Sequence, residues 1–254
     1  MQYMTLGGSQ ELLHKYFHLI LHDTTEKKTV LDIGSGPGNI TSNTLLPLFK
    51  GSIEKAIGID ISNEMVDYAN ANYGNSILSF EVLDIQHNIP NKYLNCFDYV
   101  FSFWTLHWIK DQRKLFTNIF EMMKSNGTMF VTYIAHTKLL NIYKEVWNTE
   151  KYSPYITDAD EGQPPFQNRK DQSEKILNDV GFQVEMCKIE SVPIAGERNA
   201  MKDLLLSINP VYDQIPKELQ EEFLEDHLNK IDQIIDSEYK INCEILVICA
   251  VKNE

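Results

Sequence analysis

The pattern of apolar and polar positions divides the chain into short apolar runs and longer amphipathic segments that largely alternate. Short apolar runs are typical of buried strands, whereas apolar residues spaced three and four apart are typical of helices that cover a sheet. The apolar runs predict strands at residues 30–33, 56–60, 78–85, 96–103, 128–135, 182–192 and 244–251. The amphipathic segments predict helices at residues 9–21, 39–49, 63–73, 111–124, 139–147 and 169–180, and two more between residues 197 and 236.

This order of elements predicts an α/β fold with a Rossmann-like sheet of seven mostly parallel strands and helices on both faces. Residues 1–254 are interpreted as one domain, because no repeat, low-complexity tract or linker interrupts the pattern. The last two helices form an insertion at residues 193–238, which we expect to be a substrate lid or, alternatively, to pack on the core. Pro164-Pro165 predict a rigid entry to the helix at residues 169–180.

The first apolar run leads into a turn that contains three glycines at alternate positions, Gly34, Gly36 and Gly38. Glycine adopts positive φ at little cost and lets a ligand approach the backbone closely. Ligands of open α/β sheets bind just beyond the carboxyl ends of the strands. The turn therefore predicts a binding site, with Asp32 at the end of the strand beside it.

The spacing of the glycines argues against two common phosphate sites. The dinucleotide fingerprint requires a glycine at the sixth position counted from Gly34, where this chain has Asn39, and a phosphate loop ending in Gly-Lys-Ser/Thr is absent. The carboxylate of Asp32 also suits a cation better than a pyrophosphate. We therefore expect S-adenosylmethionine (SAM), which carries an ammonium and a sulfonium group. A Rossmann-like domain without SAM is the alternative.

The next two predicted strands also end in aspartates. Asp60 closes the second strand, where its carboxylate can accept both ribose hydroxyls of an adenosine. Asp84 closes the third strand and can accept from an adenine amino group, with Ile85 against the base. Carboxyl ends of parallel strands meet at one edge of a sheet. We therefore assign Asp60, Ile61, Asp84 and Ile85, together with Asp32, to one cofactor site.

The fourth predicted strand runs into a turn that contains two tryptophans and a histidine within five residues, Trp104, His107 and Trp108. Trp108 can pack on a substrate or donate its indole N–H to an anion. His107 can bind a substrate carboxylate or act as a base. The alternative is that both tryptophans are packing residues and that His107 caps a helix.

The chain is acidic, with a net charge of −13 at pH 7, and it has no cluster of lysines or arginines longer than Glu26-Lys27-Lys28. A partner rich in phosphate selects for a basic surface. The charge therefore argues against nucleic acid and against anionic membranes as partners.

The four cysteines, Cys96, Cys187, Cys243 and Cys249, lie far apart or inside apolar runs. No close pair has the spacing of metal ligands, so we expect reduced thiols and no metal. An amino-terminal signal pattern and an apolar run long enough to span a bilayer are also absent. These features predict a cytoplasmic protein without membrane insertion.

Several motifs together resemble the class I SAM-dependent methyltransferases and, most closely, the insect juvenile hormone acid methyltransferases. The motifs are Gly34-Ser35-Gly36-Pro37-Gly38-Asn39, Leu45-Leu46-Pro47, Gly58-Ile59-Asp60-Ile61-Ser62 with Met65-Val66, Phe101-Ser102-Phe103 with Leu106-His107-Trp108, Asn209-Pro210 and residues 216–224. The resemblance extends over nearly the whole chain. The Leu106-His107-Trp108 run and the helical insertion are its more specific parts.

The resemblance implies transfer of a methyl group from SAM to the carboxylate of farnesoic acid or juvenile hormone acid. It implies that Trp108 contacts this carboxylate together with an amino-terminal glutamine, for which Gln10 is the candidate. It also places Ser102 among the cofactor-binding residues. The expected partner is thus an apolar small-molecule carboxylic acid, of isoprenoid or fatty-acid type, and the expected enzyme is a monomer or homodimer.

Two other functions remain open from the sequence. A methyltransferase of phenols or amines would need a base, and His107 would then be essential. A non-catalytic relative would bind an apolar ligand or a partner with the same fold.

Overall fold

The computed structural model describes residues 2–20, 26–157, 169–195, 197–209, 211–235 and 240–253. The strands are β1 Lys28–Ile33, β2 Ile53–Asp60, β3 Leu78–Val82, β4 Phe97–Phe103, β5 Met123–Thr137, β6 Phe182–Ala195 and β7 Lys240–Lys252. The helices are α1 Gln2–Ile20, α2 Asn63–Tyr73, α3 Gln112–Met122, α4 Lys138–Trp147, α5 Arg169–Val180, α6 Arg198–Ile208 and α7 Lys217–Ile231. Pro164-Pro165 lie outside the described residues.

The strands form one seven-stranded sheet in the order β3-β2-β1-β4-β5-β7-β6. Strands β1 to β5 pair in parallel, and β7 is antiparallel to both of its neighbours, β5 and β6. The prediction of a mostly parallel, Rossmann-like sheet is confirmed. Because β1 to β5 run the same way, their carboxyl ends lie at one edge, which we call the rim.

Helices cover both faces of the sheet, as the sequence pattern predicts. Successive residues of a strand point to opposite faces, so Phe101 of β4 belongs to one apolar cluster and Val100 to the other. The first cluster includes residues of α1, α2, α4, α6 and α7, and the second includes residues of α3 and α5. The sheet is therefore buried on both sides, which explains its nearly continuous apolar strands.

The rim is stepped, because the strands on one side of the sheet are longer. Phe103, the last residue of β4, is paired with Thr132, whereas β5 continues to Thr137, which is paired with Cys243 of β7. Five further residues of a strand extend about 17 Å. Helix α4 starts directly at the end of this extension and packs against the same apolar cluster as α6 and α7.

Helix α1 begins at Gln2, seven residues before the predicted start at residue 9. Glycine is a poor helix former, and Gly7-Gly8 lie inside this additional part of the helix. Tertiary packing overrides this preference, since Gly8 lies against Val192 and Trp104. A side chain at position 8 would require Val192 or Trp104 to shift.

The segment at residues 39–49 is helical, as predicted, but irregular. It contains a π-helical turn at Thr41–Leu45 and a 3-10 turn at Leu46–Phe49. Pro47 has no N–H to donate, and short irregular turns of this kind are common where a regular helix is interrupted. Lys50 then adopts a φ of 49° and ends the segment.

The prediction that the third strand extends through Asp84 and Ile85 is wrong, because β3 ends at Val82 and both residues lie in the loop that follows. The carboxylate of Asp84 accepts the backbone N–H of Gln86, and such local bonds compete with strand pairing. Strands β5, β6 and β7 are longer than predicted. In particular, β6 continues through Ala195, and the first helix of the predicted insertion, α6, begins at Arg198.

Candidate active site

The glycine turn forms a tight loop at the end of β1. Gly34, Gly36 and Gly38 have φ values of 70°, 53° and 82°, which is the left-handed region. The loop is tied to β2, because the N–H groups of Gly34 and Ser35 donate to the carbonyl of Ile59, at 2.7 and 3.0 Å. A Cβ atom at Gly36 would meet nothing within 4 Å. The loop thus leaves open space beside its central glycine.

Asp32 lies buried beneath this loop. Its Oδ2 accepts a hydrogen bond from the hydroxyl of Thr41 at 2.6 Å, whereas its Oδ1 is buried and has no hydrogen-bond partner among the described residues. Burial, with a smaller contribution from the charge of Asp60, raises the pKa of the Asp32 carboxyl to about 7. A buried acceptor of this kind is suited to a cationic donor.

Asp60 faces the same loop from the end of β2. Its two oxygens accept the N–H groups of Gly36 and Ser62, at 2.9 and 3.0 Å. Ile61, which follows it, has an exposed fraction of 65%. An exposed isoleucine next to a half-buried carboxylate fits the predicted contact with an adenosine.

The predicted adenine site consists of the loop after β3, which carries Asp84 and Ile85 and is bound by a side chain of α3. Asp84 is 2.9 Å from the ring Nδ1 of His87, while Ile85 is buried. The side-chain amide of Asn118 in α3 donates to the carbonyls of Ile85 and His87, at 2.6 and 2.8 Å. Asn118 therefore fixes this loop to the body of the protein.

The residues after β4 form the other wall of the rim. A 3-10 turn at Leu106–Trp108 follows the strand, and the rings of His107 and Trp108 lie 4.8 Å apart at 40°. His107 is buried and its Nδ1 has no hydrogen-bond partner among the described residues, while Trp108 is only half-buried. Desolvation and the nearby Arg169 lower the pKa of His107 to about 3. His107 is therefore neutral at physiological pH.

Two predicted site residues make contacts that the sequence does not reveal. The hydroxyl of Ser102 is buried and donates to the carbonyl of Ile33 at 2.7 Å, which joins β4 to β1 beneath the loop. The amide of Gln10 donates to the hydroxyl of Thr44 at 2.9 Å. Helix α1 is thus attached to the segment that follows the glycine loop.

Sequence reasoning missed several residues that support this site. Thr41 binds Asp32, Thr105 packs against Gly34, and Asn118 holds the loop of Ile85. Arg169 is buried, and its guanidinium reaches the carbonyl of His107 at 3.4 Å. Only Thr105 lies inside a motif, so the others left no signal in a single sequence.

Comparison with known protein families decides the assignment of this site. A family model described as a methyltransferase domain matches residues 24–192. The chain belongs to the methyltransferase family. Residues 24–192 include the glycine loop, the three aspartates at the rim and the Leu106–Trp108 turn.

Curated relatives and solved structures agree with this assignment. The methyltransferase is 32% identical over 209 residues to juvenile hormone acid O-methyltransferase of Bombyx mori, covering 81% of this chain and 74% of that protein. It is 30% identical over 209 residues to the enzyme of the same name from Drosophila melanogaster, covering 79% and 69%. Its fold is similar to that of phosphoethanolamine N-methyltransferase 2 of Haemonchus contortus, solved with S-adenosylhomocysteine. The TM-score is 0.56 at 18% identity, with coverage of 97% of this chain and 53% of that one.

Its family and its curated relatives make this chain a SAM-dependent methyltransferase, and the residues at the rim are chemically suited to SAM. The unpartnered Oδ1 of Asp32 is suited to the ammonium group, and the space beside Gly36 admits a ligand close to the backbone. Among the described side chains, no group of three or more histidines, cysteines, aspartates or glutamates could hold a metal ion. None of the described helices is long and apolar enough to cross a membrane.

Proposed function

We propose that this methyltransferase transfers the methyl group of SAM to the carboxylate of an apolar acid of isoprenoid or fatty-acid type, such as farnesoic acid or juvenile hormone acid. In this proposal Asp32, Asp60, Asp84 and the glycine loop hold SAM, which supplies an electrophilic methyl group when bound. Trp108 contacts the acceptor carboxylate, and Gln10 assists from α1. The names of the two insect relatives support this acceptor class.

The observation that carries the proposal is the burial of His107, whose side chain is removed from water and whose Nδ1 has no hydrogen-bond partner among the described residues. A phenol or an amine must lose a proton to become a good acceptor, whereas a carboxylate is already ionised at neutral pH. Effective bases have a pKa near the working pH, and the pKa of His107 is lowered to about 3. The only histidine in the turn after β4 is therefore a poor base, which favours an acceptor that needs none.

Without proton transfer, the task of the site is to orient the acceptor and to exclude water. A well-aligned acceptor can lower the barrier by roughly 7–11 kcal/mol relative to reaction between freely diffusing partners. When a carboxylate attacks a sulfonium methyl group, the anion becomes a neutral ester and the sulfonium becomes a neutral thioether. Because charge is lost, a site that excludes water favours the reaction. The aromatic turn at Leu106–Trp108 and the apolar layer of α4, α6 and α7 supply such surroundings.

The helices between β6 and β7 are proposed to cover the acceptor. They belong to the same apolar cluster as Phe103 at the end of β4, so an apolar surface continues from the rim into this layer. An acceptor with a long apolar chain would bury that chain along this surface. Two helices of this layer, α6 and α7, lie within residues 193–238, the segment predicted as a lid.

The experiment is methyl transfer from labelled SAM to farnesoic acid, to fatty acids and to aromatic acids, with phenols and amines in parallel. SAM binding is measured by calorimetry on the same sample. We expect methyl esters of the apolar acids and no product from phenols or amines. Tight SAM binding without product from any acid would contradict the proposal and would favour a non-catalytic or differently directed relative.

Two variants assign roles within the turn. His107→Asn is expected to lower kcat only modestly, because no proton is transferred, whereas a loss of more than about a thousandfold would indicate a general base. Trp108→Phe is expected to raise KM for the acid, since it removes the indole N–H. Phe182→Leu is the control, because Phe182 starts β6 and packs on Phe120 at the end of the sheet opposite the rim. It should leave KM near that of the unchanged protein.

A further inference from the structure

Trp104, the first residue after β4, has an unusual backbone. Its φ is 57°, in the left-handed region that bulky side chains rarely occupy. Its N–H donates to the carbonyl of Thr132 at 2.8 Å, so the conformation is fixed by the neighbouring strand β5. Backbone strain of this kind is concentrated at functional sites, where the surrounding structure maintains it.

The residue that follows places this turn against the cofactor loop. A Cβ atom at Gly34 would lie 2.2 Å from the hydroxyl oxygen of Thr105, so only glycine allows this approach. The hydroxyl of Thr105 also lies 3.3 Å from the carbonyl of Gly34, to which it donates. Trp104 is consequently one residue away from the loop that is suited to SAM.

Helix α1 encloses the indole from the other side. A Cβ atom at Gly8 would lie 3.3 Å from Cζ2 of Trp104 and 2.8 Å from a methyl carbon of Val192. The absence of a side chain at position 8 therefore lets α1 approach the indole and the edge strand β6 together. Trp104 is half-buried and packs against the apolar cluster that contains Phe103 and residues of α1.

We propose that Trp104 and Gly8 form a wall that selects the acceptor by the width of its chain near the carboxylate. The inference rests on the proposed acid acceptor and extends it. Trp108 contacts the carboxylate, whereas the indole of Trp104 is a rigid apolar surface beside the carbons that follow it. The left-handed backbone fixes the direction of the indole, and Gly8 fixes its distance from α1. The favoured acids are unbranched or flat next to the carboxylate.

The test compares pairs of acids that differ only in width near the carboxylate, namely dodecanoic acid and its 2,2-dimethyl derivative. The ratio of their kcat/KM values is measured for the unchanged protein, Trp104→Phe, Trp104→Gly and Gly8→Ala. A small change of shape in an apolar pocket alters such ratios by roughly tenfold or more. We expect the two Trp104 variants to move the ratio about tenfold toward the branched acid. We expect Gly8→Ala to move it toward the unbranched one.

The variants also separate specificity from a general loss of structure. Glycine tolerates a φ of 57°, so Trp104→Gly removes the indole without straining the backbone and should fold even if another replacement does not. Phe182→Leu, at the end of the sheet opposite the rim, is the control for the loss of an aromatic ring and should leave the ratio unchanged.

Two results would overturn the inference, and they can be told apart. If the unchanged protein methylates both acids and none of the Trp104 and Gly8 variants alters the ratio, the wall is wrong while the acid acceptor stands. If the unchanged protein methylates no acid although SAM binds, the proposed function fails and the wall fails with it.

Discussion

At the scale of single residues, burial favours the neutral form of both Asp32 and His107. It does so by raising the pKa of the acid and lowering the pKa of the base. Removing a group from water disfavours its charged form. The carboxyl of Asp32 therefore has a raised pKa of about 7, while the imidazole of His107 has a lowered pKa of about 3. Both groups are easily neutral near pH 7. Asp32 must ionise to bind a cation, whereas His107 has no such requirement.

Binding of S-adenosylhomocysteine should therefore release a proton below pH 7. Below the folded pKa of about 7, the carboxyl of Asp32 is mostly protonated in the free protein. The ammonium group of the ligand would favour the carboxylate, so affinity should rise with pH up to about 7 and then level off. Titration calorimetry in two buffers with different protonation enthalpies measures the proton. Asp32→Asn should bind more weakly and release none, and buffer-independent heats for the unchanged protein would contradict this assignment.

Two buried tyrosines allow the effect of a hydrogen-bonded hydroxyl on stability to be compared with that of an unpartnered one. The hydroxyl of Tyr133 lies 2.7 Å from that of Ser173, whereas the hydroxyl of Tyr143 has no hydrogen-bond partner among the described residues. Tyr133→Phe should lower the free energy of unfolding by about 1 kcal/mol. Tyr143→Phe should leave it unchanged or raise it, because no hydrogen bond is lost. Urea denaturation of both variants measures the difference, and equal losses would mean that Tyr143 has a partner in solution.

At the scale of elements, the sequence predicted helix boundaries well where a residue such as glycine marks the end of the helix. Helix α5 begins at Arg169 and ends before Gly181, which has a φ of 112°, as predicted from that glycine. Helix α1 was misplaced at its start because the contact of Gly8 with Trp104 joins positions far apart in sequence. Pairing of Asp32 with Thr41 escaped prediction for a different reason, since no periodicity marks a hydroxyl that satisfies a buried carboxylate.

One carboxylate makes the polar contacts described between helix α1 and the edge strand β6, in addition to their apolar contacts. Glu190 accepts from the hydroxyl of Tyr16 and lies 3.0 Å from Lys15 and 3.1 Å from Lys188. These contacts, with that of Tyr16 the largest, lower the pKa of Glu190 to about 2. The stabilisation is complete above the ordinary glutamate pKa of 4.5 and is lost as the pH falls toward 2.

Replacement of this carboxylate should loosen α1 without unfolding the sheet. Glu190→Gln is expected to increase the rate of amide hydrogen exchange in α1 severalfold at pH 7, because the two lysines lose their counter-charge. Glu185→Gln, on the same strand, is the control and should leave α1 unchanged. Equal exchange in the two variants would mean that α1 is held by its apolar contacts alone.

At the scale of the whole molecule, the sheet and the distribution of its helices were predictable, whereas the stepped rim was not. Alternation of apolar strands and amphipathic helices limits a chain to few topologies. The lengths of β5, β6 and β7 depend on pairing between residues far apart in sequence, such as Thr137 with Cys243. No local pattern contains that information. The surface above the step, where the acceptor is proposed to lie, therefore had to come from the structure.

The interior position of β7 predicts a large difference between two isoleucines. Ile248 in β7 is fully buried, whereas Ile189 in the neighbouring edge strand β6 is 45% exposed. Ile248→Ala should lower the free energy of unfolding by roughly 2–5 kcal/mol, because it leaves a cavity in a packed core. Ile189→Ala should cost much less. Denaturant unfolding of both variants measures the two losses. Similar losses of unfolding free energy would contradict the interior position of β7 between β5 and β6.

The antiparallel strand β7 lies between β5 and β6, although it follows both in the chain. On the ribosome both strands emerge before β7. The edge of β5 that faces away from β4, and β6 itself, therefore lack their native pairing partner until β7 is made. Unpaired edges are templates for association with other chains. A truncated translation product would therefore be a client for chaperones and proteases, while the five-stranded part that carries the glycine loop could already have formed. Synthesis of this protein should thus be unusually sensitive to stalling within the codons for residues 196–252.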